Sequence, residues 1–147
     1  MRILFLCLGN ICRSPAAEAV TRQLARQTGL ELHLDSAGTG PWHVGEAPYA
    51  PMQRAAHARG YDMSNLRARQ LTAADFEHFD LILAMDADNL REAAARRPAS
   101  ARAELRLFLH KANGPDAVPD PYYTRDFDGC LDLIEEGARA LLSGLAH

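Results

Sequence analysis

Apolar residues along the chain cluster into four short runs that are separated by stretches with helical spacing. Two runs, over residues 3–6 and 80–85, are almost continuously apolar, which is typical of strands buried on both faces of a sheet. The other two, over residues 30–34 and 105–109, alternate between apolar and polar side chains, which is typical of strands with one wetter face. The pattern therefore predicts two central strands and two edge strands.

Between these runs, apolar residues return every three or four positions, as on one face of an amphipathic helix. The first such stretch begins at Pro15, with Ser14 as its predicted cap, and it ends at Gly29. Glycine, proline and polar residues predict loops over residues 36–51, 61–70 and 115–121. Further helices are predicted over residues 52–59, in a short segment that starts at Thr72, from Asp86 to Pro98, and over residues 127–145.

Strands that alternate with helices indicate an α/β fold built on a parallel sheet. Right-handed crossovers and two central apolar strands together predict the strand order 2-1-3-4, with helices on both faces in a three-layer arrangement. In that order the chain changes direction beside the first strand, so a ligand crevice should open above the carboxyl end of that strand. The 147 residues show no repeat or linker, and we expect one domain over residues 1–147.

Composition and charge exclude several classes of function. The formal net charge of −3 and the scattered basic residues give no surface for nucleic acid. No apolar run approaches the roughly 20 residues that cross a bilayer, and the N-terminus lacks the apolar stretch of a signal peptide. Three cysteines, an odd number, favour a reducing compartment, so we expect a cytoplasmic protein. Neither the cysteines nor the histidines show metal-site spacing, and we expect no metal and no cofactor.

The turn between the first predicted strand and the first predicted helix concentrates the candidate chemistry. Its backbone N–H groups, with Gly9 allowing unusual dihedral angles, can form an anion nest that the helix N-terminus closes. Arg13 adds a planar fork that matches two oxygens of a phosphate. Cys7, at the base of this positively charged nest, is expected to be a thiolate that attacks phosphorus. The product is a phosphocysteine that water later hydrolyses. Ser14 can donate a hydrogen bond to that thiolate.

An aspartate near the C-terminus can supply the proton that such a reaction needs, because an alkoxide or phenoxide leaves poorly. Asp120 lies between two prolines, which stiffen a loop and hold its side chain at a defined height. Tyr122 and Tyr123 follow and can form the walls of a pocket for a flat aromatic leaving group. On its own the Pro-Asp-Pro segment would be interpreted as a turn, and the loop that begins at Cys7 is what favours a catalytic role.

Together these motifs resemble the low-molecular-weight protein tyrosine phosphatases. The resemblance rests on Cys-Leu-Gly-Asn-Ile-Cys-Arg-Ser-Pro over residues 7–15 and Asp-Pro-Tyr-Tyr over residues 120–123. It implies hydrolysis of phosphotyrosine, with Cys7 as nucleophile, Arg13 as phosphate binder and Asp120 as general acid and then general base. As partners it implies a phosphotyrosine-containing protein, with a bacterial tyrosine kinase as one candidate, and a phosphate or other oxyanion in the loop. Further similar segments are residues 35–39, 68–70, 75–76 and 79–86.

The resemblance also assigns supporting roles. Asn10 would hold the strained backbone of the loop with the help of a hydrogen bond from Ser36, and Ser14 would stabilise the thiolate. The phosphate-binding loop itself would consist of Leu8, Gly9, Asn10, Ile11, Cys12 and Ser14, in addition to Cys7 and Arg13. The entrance to the substrate pocket would be lined by Leu8, Ile11, Trp42, Tyr122 and Tyr123.

Two positions relate to variable features of the family. Cys12 matches a cysteine that in many members forms a reversible disulfide with the nucleophile under peroxide, and passive packing is the alternative. Some members carry a histidine that supports the loop asparagine, whereas this chain has Ser-Asn-Leu-Arg over residues 64–67. His57 lies upstream on a predicted helix and is not assigned that role.

Three other functions remain open alternatives. An arsenate reductase needs a relay of cysteines, but residues 84–97 contain none, and Cys130 on the last helix is interpreted as a core residue. Protein arginine phosphatases tend to have threonine in place of Ile11 and fewer aromatic residues in the acid loop. The third alternative, a phosphopeptide-binding module without catalysis, is disfavoured because the predicted nucleophile, phosphate binder and general acid are all present.

Overall fold

The computed structural model of the protein describes residues 1–109 and 116–145 and contains a four-stranded parallel sheet flanked by helices. In spatial order the strands are β2, β1, β3 and β4, so the predicted order and the two predicted central strands are confirmed. The strands are β1 (Arg2–Cys7), β2 (His33–Gly38), β3 (Leu81–Ala84) and β4 (Glu104–Leu107). The helices are α1 (Arg13–Thr28), α2 (Ala50–Ala58), α3 (Asp75–His78), α4 (Ala87–Arg96), α5 (Pro121–Thr124) and α6 (Phe127–Leu145).

Strand β1 anchors both halves of the core because its side chains alternate between the two faces of the sheet. Ile3 and Phe5 belong to a buried apolar cluster with residues of α1, α2 and α6, whereas Leu4 and Leu6 belong to a second cluster with residues of α3 and α4. All four side chains are fully buried. Since burying each such side chain contributes about 1.5–3 kcal/mol, the strand that ends at Cys7 has a firmly fixed position.

Helix α1 begins earlier than its proline predicts. It starts at Arg13, its N-cap is Cys12, and no side chain caps this end. The prediction that Ser14 caps the helix is therefore wrong, because its hydroxyl group lies 2.9 Å from the sulfur of Cys7 instead. The C-terminal end of α1 agrees with the prediction. Gly29 adopts a left-handed conformation there, and its N–H donates to carbonyl oxygens of the last turn.

Strand β2 lies further along the chain than the alternating pattern predicts. It covers His33–Gly38 and includes residues 36–38, for which the small and polar side chains predict a loop. Pairing with the full length of β1, up to Cys7 beside Gly38, extends the strand. The small residues serve a close contact, since a Cβ on Gly38 would lie 2.7 Å from the carbonyl oxygen of Leu8.

The remaining elements agree with the sequence pattern in kind, but α2 begins at Ala50, two residues inside the predicted loop, and β4 ends at Leu107, two residues before its predicted end. Helix α4 is capped by Asp86 as predicted, but α3 begins at Asp75, three residues after Thr72. The tyrosines of the predicted acid loop lie on the one-turn helix α5, which Asp120 caps. Pro115, the predicted start of that loop, lies outside the described residues. Within residues 1–109 and 116–145, none of the helices combines the length and apolar character that crossing a bilayer requires.

Candidate active site

A cleft of about 270 Å³ opens above the carboxyl end of β1, where the chain changes direction in the sheet. It brings together the residues of the 7–13 loop, the segment after β2 and helix α5. Ser14 and Ser36 do not line the cleft but lie behind the loop. The cleft is lined by Cys7, Leu8, Gly9, Asn10, Ile11, Cys12, Arg13, Trp42, His43, Asp120, Tyr122 and Tyr123.

The sulfur of Cys7 lies at the base of the cleft and is surrounded by hydrogen-bond donors. The backbone N–H of Asn10 donates to it at 3.3 Å, and Ser14 Oγ lies at 2.9 Å. Ser14 Oγ accepts a hydrogen bond from Asn10 Nδ2 at 2.7 Å, which leaves its own proton for one of two acceptors, the sulfur at 2.9 Å or the more distant Ala37 carbonyl at 3.4 Å. The arrangement favours negative charge on the sulfur atom, as an attacking thiolate requires.

Arg13 reaches the cleft from the first turn of α1 and is almost completely buried. Its Nη1 donates to Asp86 Oδ2 at 2.6 Å and to the Val118 carbonyl at 3.1 Å. Its Nη2 makes only a long contact of 3.5 Å with Asp120 Oδ2. Burial alone would lower the pKa of Arg13, but the negative charges of Cys7 and of the two aspartates outweigh this effect and raise it. The guanidinium is therefore a fixed cation with one nitrogen only loosely engaged.

Asp86 is a site residue that the sequence analysis missed, since it assigned only a helix cap there. Its Oδ1 does accept from the Asn89 N–H at 2.8 Å, but its Oδ2 orients Arg13. A signal was present in the sequence, because Asp86 follows the central strand β3 and so stands at the same sheet edge as Cys7. The Asp86 carboxylate thus connects the start of α4 to Arg13, the candidate phosphate binder.

Asn10 holds the loop through both ends of its amide. Its backbone has φ 59°, in the left-handed region that asparagine tolerates better than most residues. Nδ2 donates to Ser36 Oγ at 3.0 Å, and Oδ1 accepts from the backbone N–H of Arg69 at 3.0 Å. The backbone of the 64–70 segment therefore supports the asparagine without a histidine side chain, and His57 is exposed on α2.

A buried carboxylate lies behind Ser36. Glu18 on α1 accepts from Ser36 Oγ at 2.8 Å and from Arg22 Nη2 at 2.6 Å, and only 4% of the residue is exposed. Burial raises the pKa of Glu18, although its hydrogen bonds with Arg22 and Ser36 act in the opposite direction. Its role is not visible in the sequence, because a glutamate four positions before an arginine is equally typical of an exposed helix face.

The raised pKa of Glu18 predicts a specific pH dependence of stability. Its contribution is fully present below the ordinary glutamate pKa of about 4.3 and is lost as the pH rises through the higher value of the folded state. We expect Glu18→Gln to remove this loss, so that the variant gains stability relative to the parent as the pH rises above the ordinary glutamate pKa of about 4.3. Urea unfolding at several pH values measures the difference. Glu31→Gln on the exposed surface serves as the control. If the difference in free energy of unfolding between variant and parent is independent of pH for both variants, the prediction is contradicted.

Asp120 and the aromatic residues close the cleft on the side of α5. Asp120 Oδ1 accepts from the Tyr122 N–H at 3.0 Å, while Oδ2 faces Arg13. Tyr123 and Trp42 are the most exposed of the large apolar side chains, at 73% and 68%. His43, which the sequence analysis did not single out, also lines the cleft and pairs with Glu46.

The three cysteines are buried and form no disulfide bond. Burial and the nearby negative charge of Cys7 raise the pKa of Cys12, which keeps it protonated, and burial raises the pKa of Cys130 to about 12. Cys130 packs in the core as expected, and a redox role of Cys12 stays a prediction. Among the described residues, no group of three or more histidine, cysteine, aspartate or glutamate side chains could hold a metal ion.

A cysteine at the base of an anion-binding loop, an arginine at its end and an aspartate across the cleft define a cysteine-dependent phosphatase site. The model of the family described as low molecular weight phosphotyrosine protein phosphatase matches residues 2–147. The chain belongs to this family and is a phosphatase, and the family implies phosphoprotein substrates.

Individual relatives agree with this assignment. The chain is 42% identical to the low molecular weight protein-tyrosine-phosphatase YfkJ of Bacillus subtilis, over 97% of this chain and 94% of the relative. The crystal structure of a protein tyrosine phosphatase from Entamoeba histolytica matches with a TM-score of 0.92 and 36% identity, over 99% and 97% of the two chains. A Drosophila arginine phosphatase matches with a TM-score of 0.91 and 32% identity, over 100% and 99%.

Proposed function

We propose that the protein hydrolyses phosphotyrosine in proteins through a phosphocysteine intermediate on Cys7. The observation that carries the proposal is the convergence of three groups on one cleft. Cys7 lies at its base, the Arg13 guanidinium is fixed beside it, and Asp120 Oδ2 lies 3.5 Å from Arg13 Nη2. Nucleophile, phosphate binder and acid are the parts that a two-step displacement on phosphorus needs.

In the first step, the backbone N–H groups of the loop and Arg13 bind the phosphate oxygens. The Cys7 thiolate attacks phosphorus and forms the S–P bond while the bond to the tyrosine oxygen breaks. Protonated Asp120 donates its proton to that oxygen, so that a neutral phenol leaves. Phosphate and Asp120 are both partners for Arg13 Nη2, and the long existing contact makes exchange between them easy.

In the second step, Asp120 acts as general base, because it is now a carboxylate above the phosphorus. It takes a proton from a water molecule that attacks phosphorus, and the S–P bond breaks to release phosphate and the Cys7 thiolate. The N–H of Asn10 and the hydroxyl group of Ser14 stabilise the sulfur as it leaves. The proton balance closes, since Asp120 ends the cycle protonated again.

The entrance of the cleft supports an aromatic substrate. Trp42, Tyr122 and Tyr123 present flat apolar surfaces above the loop. A phosphotyrosine side chain is long enough to place its phosphorus near Cys7 between these walls. The shorter side chain of phosphoserine brings its phosphorus less close to Cys7. We therefore propose phosphotyrosine as the preferred substrate over phosphoserine.

Arginine phosphatase activity is the second candidate, since the Drosophila enzyme shares the fold. Ile11 on the loop and the tyrosines of α5 present apolar surface, which favours an uncharged ring over a guanidinium group. Arsenate reductase activity has less support because residues 84–97 provide no cysteine for a relay.

A substrate panel tests the proposal. We expect phosphotyrosine peptides to be hydrolysed with a kcat/KM at least about tenfold above matched phosphoserine and phosphoarginine peptides, because only the phenyl ring fits the walls. Initial rates of phosphate release measure this, with thiol-dependent arsenate reduction as a parallel assay. A preference for phosphoarginine would contradict the proposed substrate while retaining the chemistry.

We further propose that the natural substrates are cytoplasmic phosphotyrosine proteins. A bacterial tyrosine kinase that phosphorylates itself is one candidate, because its tyrosines carry the group that the cleft fits. The reducing compartment expected from the cysteine usage supports this location and keeps Cys7 in its reactive form.

A further inference from the structure

Helix α5, which carries the Asp120 carboxylate, is attached to the rest of the cleft on its outer side. Tyr49, the N-cap residue of α2, donates its backbone N–H to the Ile11 carbonyl at 2.8 Å. The ring of Tyr49 packs on Tyr122 with their centroids 5.2 Å apart. Tyr49 therefore contacts the phosphate-binding loop with its backbone and α5 with its side chain.

Arg125 completes the attachment from the C-terminal end of α5. Its Nη1 donates to Tyr49 Oη at 2.9 Å, and its guanidinium lies over the rings of Tyr49 and Phe127, 5.3 and 5.2 Å from their centroids. These geometries lie within the range of cation–π interactions. Phe127 begins α6, so the contact also attaches α5 to the last helix.

The backbone of Arg125 shows that its side chain matters. Its φ of 64° is in the left-handed region, where a residue other than glycine, asparagine or aspartate is disfavoured. A glycine would suit the backbone of this helix end better, because the local hydrogen bond from the N–H of residue 125 to the Pro121 carbonyl, at 2.9 Å, needs no side chain. Its side-chain contacts with Tyr49 and Phe127 offset the backbone cost.

We propose that Arg125 and Tyr49 form a clamp that positions Asp120 for proton transfer. The inference rests on the proposed function, since it assumes that Asp120 is the general acid. Asp120 is held to α5 by the Tyr122 N–H at 3.0 Å, and its own carbonyl accepts from Tyr123 and Thr124. A shift of α5 therefore moves the carboxyl group relative to Cys7. Neither Arg125 nor Tyr49 lines the cleft, so both act through Asp120 as positioning residues.

The test compares Arg125→Gly with the parent on aryl phosphates whose leaving groups differ in acidity. Glycine accepts the left-handed backbone, so the variant removes the clamp without new strain. We expect kcat/KM for phosphotyrosine to fall about fivefold, because a displaced acid protonates the phenoxide less well. For dinitrophenyl phosphate, whose leaving group needs no proton, the change should stay within about twofold. Inhibition by inorganic phosphate should be unchanged.

Tyr49→Phe removes only the hydroxyl partner of Arg125 and should give a smaller loss of the same kind. The double variant should lose no more than Arg125→Gly alone, because both changes break one contact. Tyr61→Phe is the matched control. Tyr61 Oη donates to Glu135 Oε2 over a distance of 2.6 Å, and neither residue lines the cleft. This variant should leave the dependence on the leaving group unchanged.

Asp120→Asn separates the clamp from the proposed mechanism. If Asp120→Asn shows strong dependence on the leaving group and Arg125→Gly has no further effect in that background, the clamp is supported. Equal losses on all substrates, or no loss at all in Arg125→Gly, would overturn the clamp while leaving Asp120 as the acid. If Asp120→Asn itself shows no such dependence, Asp120 is not the general acid, and that part of the proposed function fails instead.

Discussion

Replacing Cys7 with serine should abolish turnover while the cleft still binds phosphate. The thiolate is the attacking group, and a serine hydroxyl at the same position stays protonated and nucleophilically weak. We expect kcat for phosphotyrosine to fall by at least about 10⁴-fold, within the range that loss of a nucleophile costs other enzymes. Phosphate affinity, measured by titration calorimetry, should stay within about threefold because Arg13 and the loop N–H groups remain.

A second cysteine variant provides the control for this result. Cys130 is buried on α6 and does not line the cleft, so Cys130→Ala should retain activity while losing some stability. Full turnover by Cys7→Ser would refute the phosphocysteine mechanism. Loss of phosphate binding together with turnover would instead show that the substitution disrupts the loop.

Replacing Asp120 with asparagine should slow the reaction according to the leaving group. Asparagine caps a helix as well as aspartate does, so α5 keeps its cap while the transferable proton is lost. We expect kcat/KM for phosphotyrosine to fall about 10²- to 10⁴-fold, and that for dinitrophenyl phosphate to change far less.

Single-turnover measurements separate the two roles of Asp120. The rate of phenol release reports the first step, and the rate of phosphate release reports the second. Both should slow with phosphotyrosine, and only the second with dinitrophenyl phosphate. Asp88→Asn, in the first turn of α4 and exposed, is a suitable control that should leave both phases unchanged. A uniform effect on every substrate would argue that Asp120 supports structure and is not the acid.

Much of the fold was predictable because burial leaves a plain pattern in the central strands. Residues 3–6 and 81–85 are apolar because helices cover both faces of β1 and β3. The pattern failed for β2, where pairing with β1 and contact with the loop decide which residues are extended. Small residues such as Ala37 and Gly38 are compatible with either a loop or a strand, so their composition alone was misleading.

The site was predictable where the spacing along the chain carries the chemistry. The loop from Cys7 to Arg13 and the Pro-Asp-Pro segment were recognised, and the structure brings them to one cleft. Asp86 and Glu18 were missed because their roles depend on partners that are 73 and 18 residues away in sequence. Contacts of that kind arise only when the sheet is assembled, and a single sequence gives no measure of them.

The close contact between β2 and the phosphate-binding loop limits how the motif can be transplanted. The backbone of Gly38 approaches the Leu8 carbonyl so closely that any side chain would displace it, and Ser36 must face Asn10 from the same strand. Grafting residues 7–14 onto another parallel sheet would therefore leave the loop without the supporting contacts of Ser36 and Gly38. A functional graft has to carry residues 36–38 as well, so the transferable unit is two adjacent strands and not one loop.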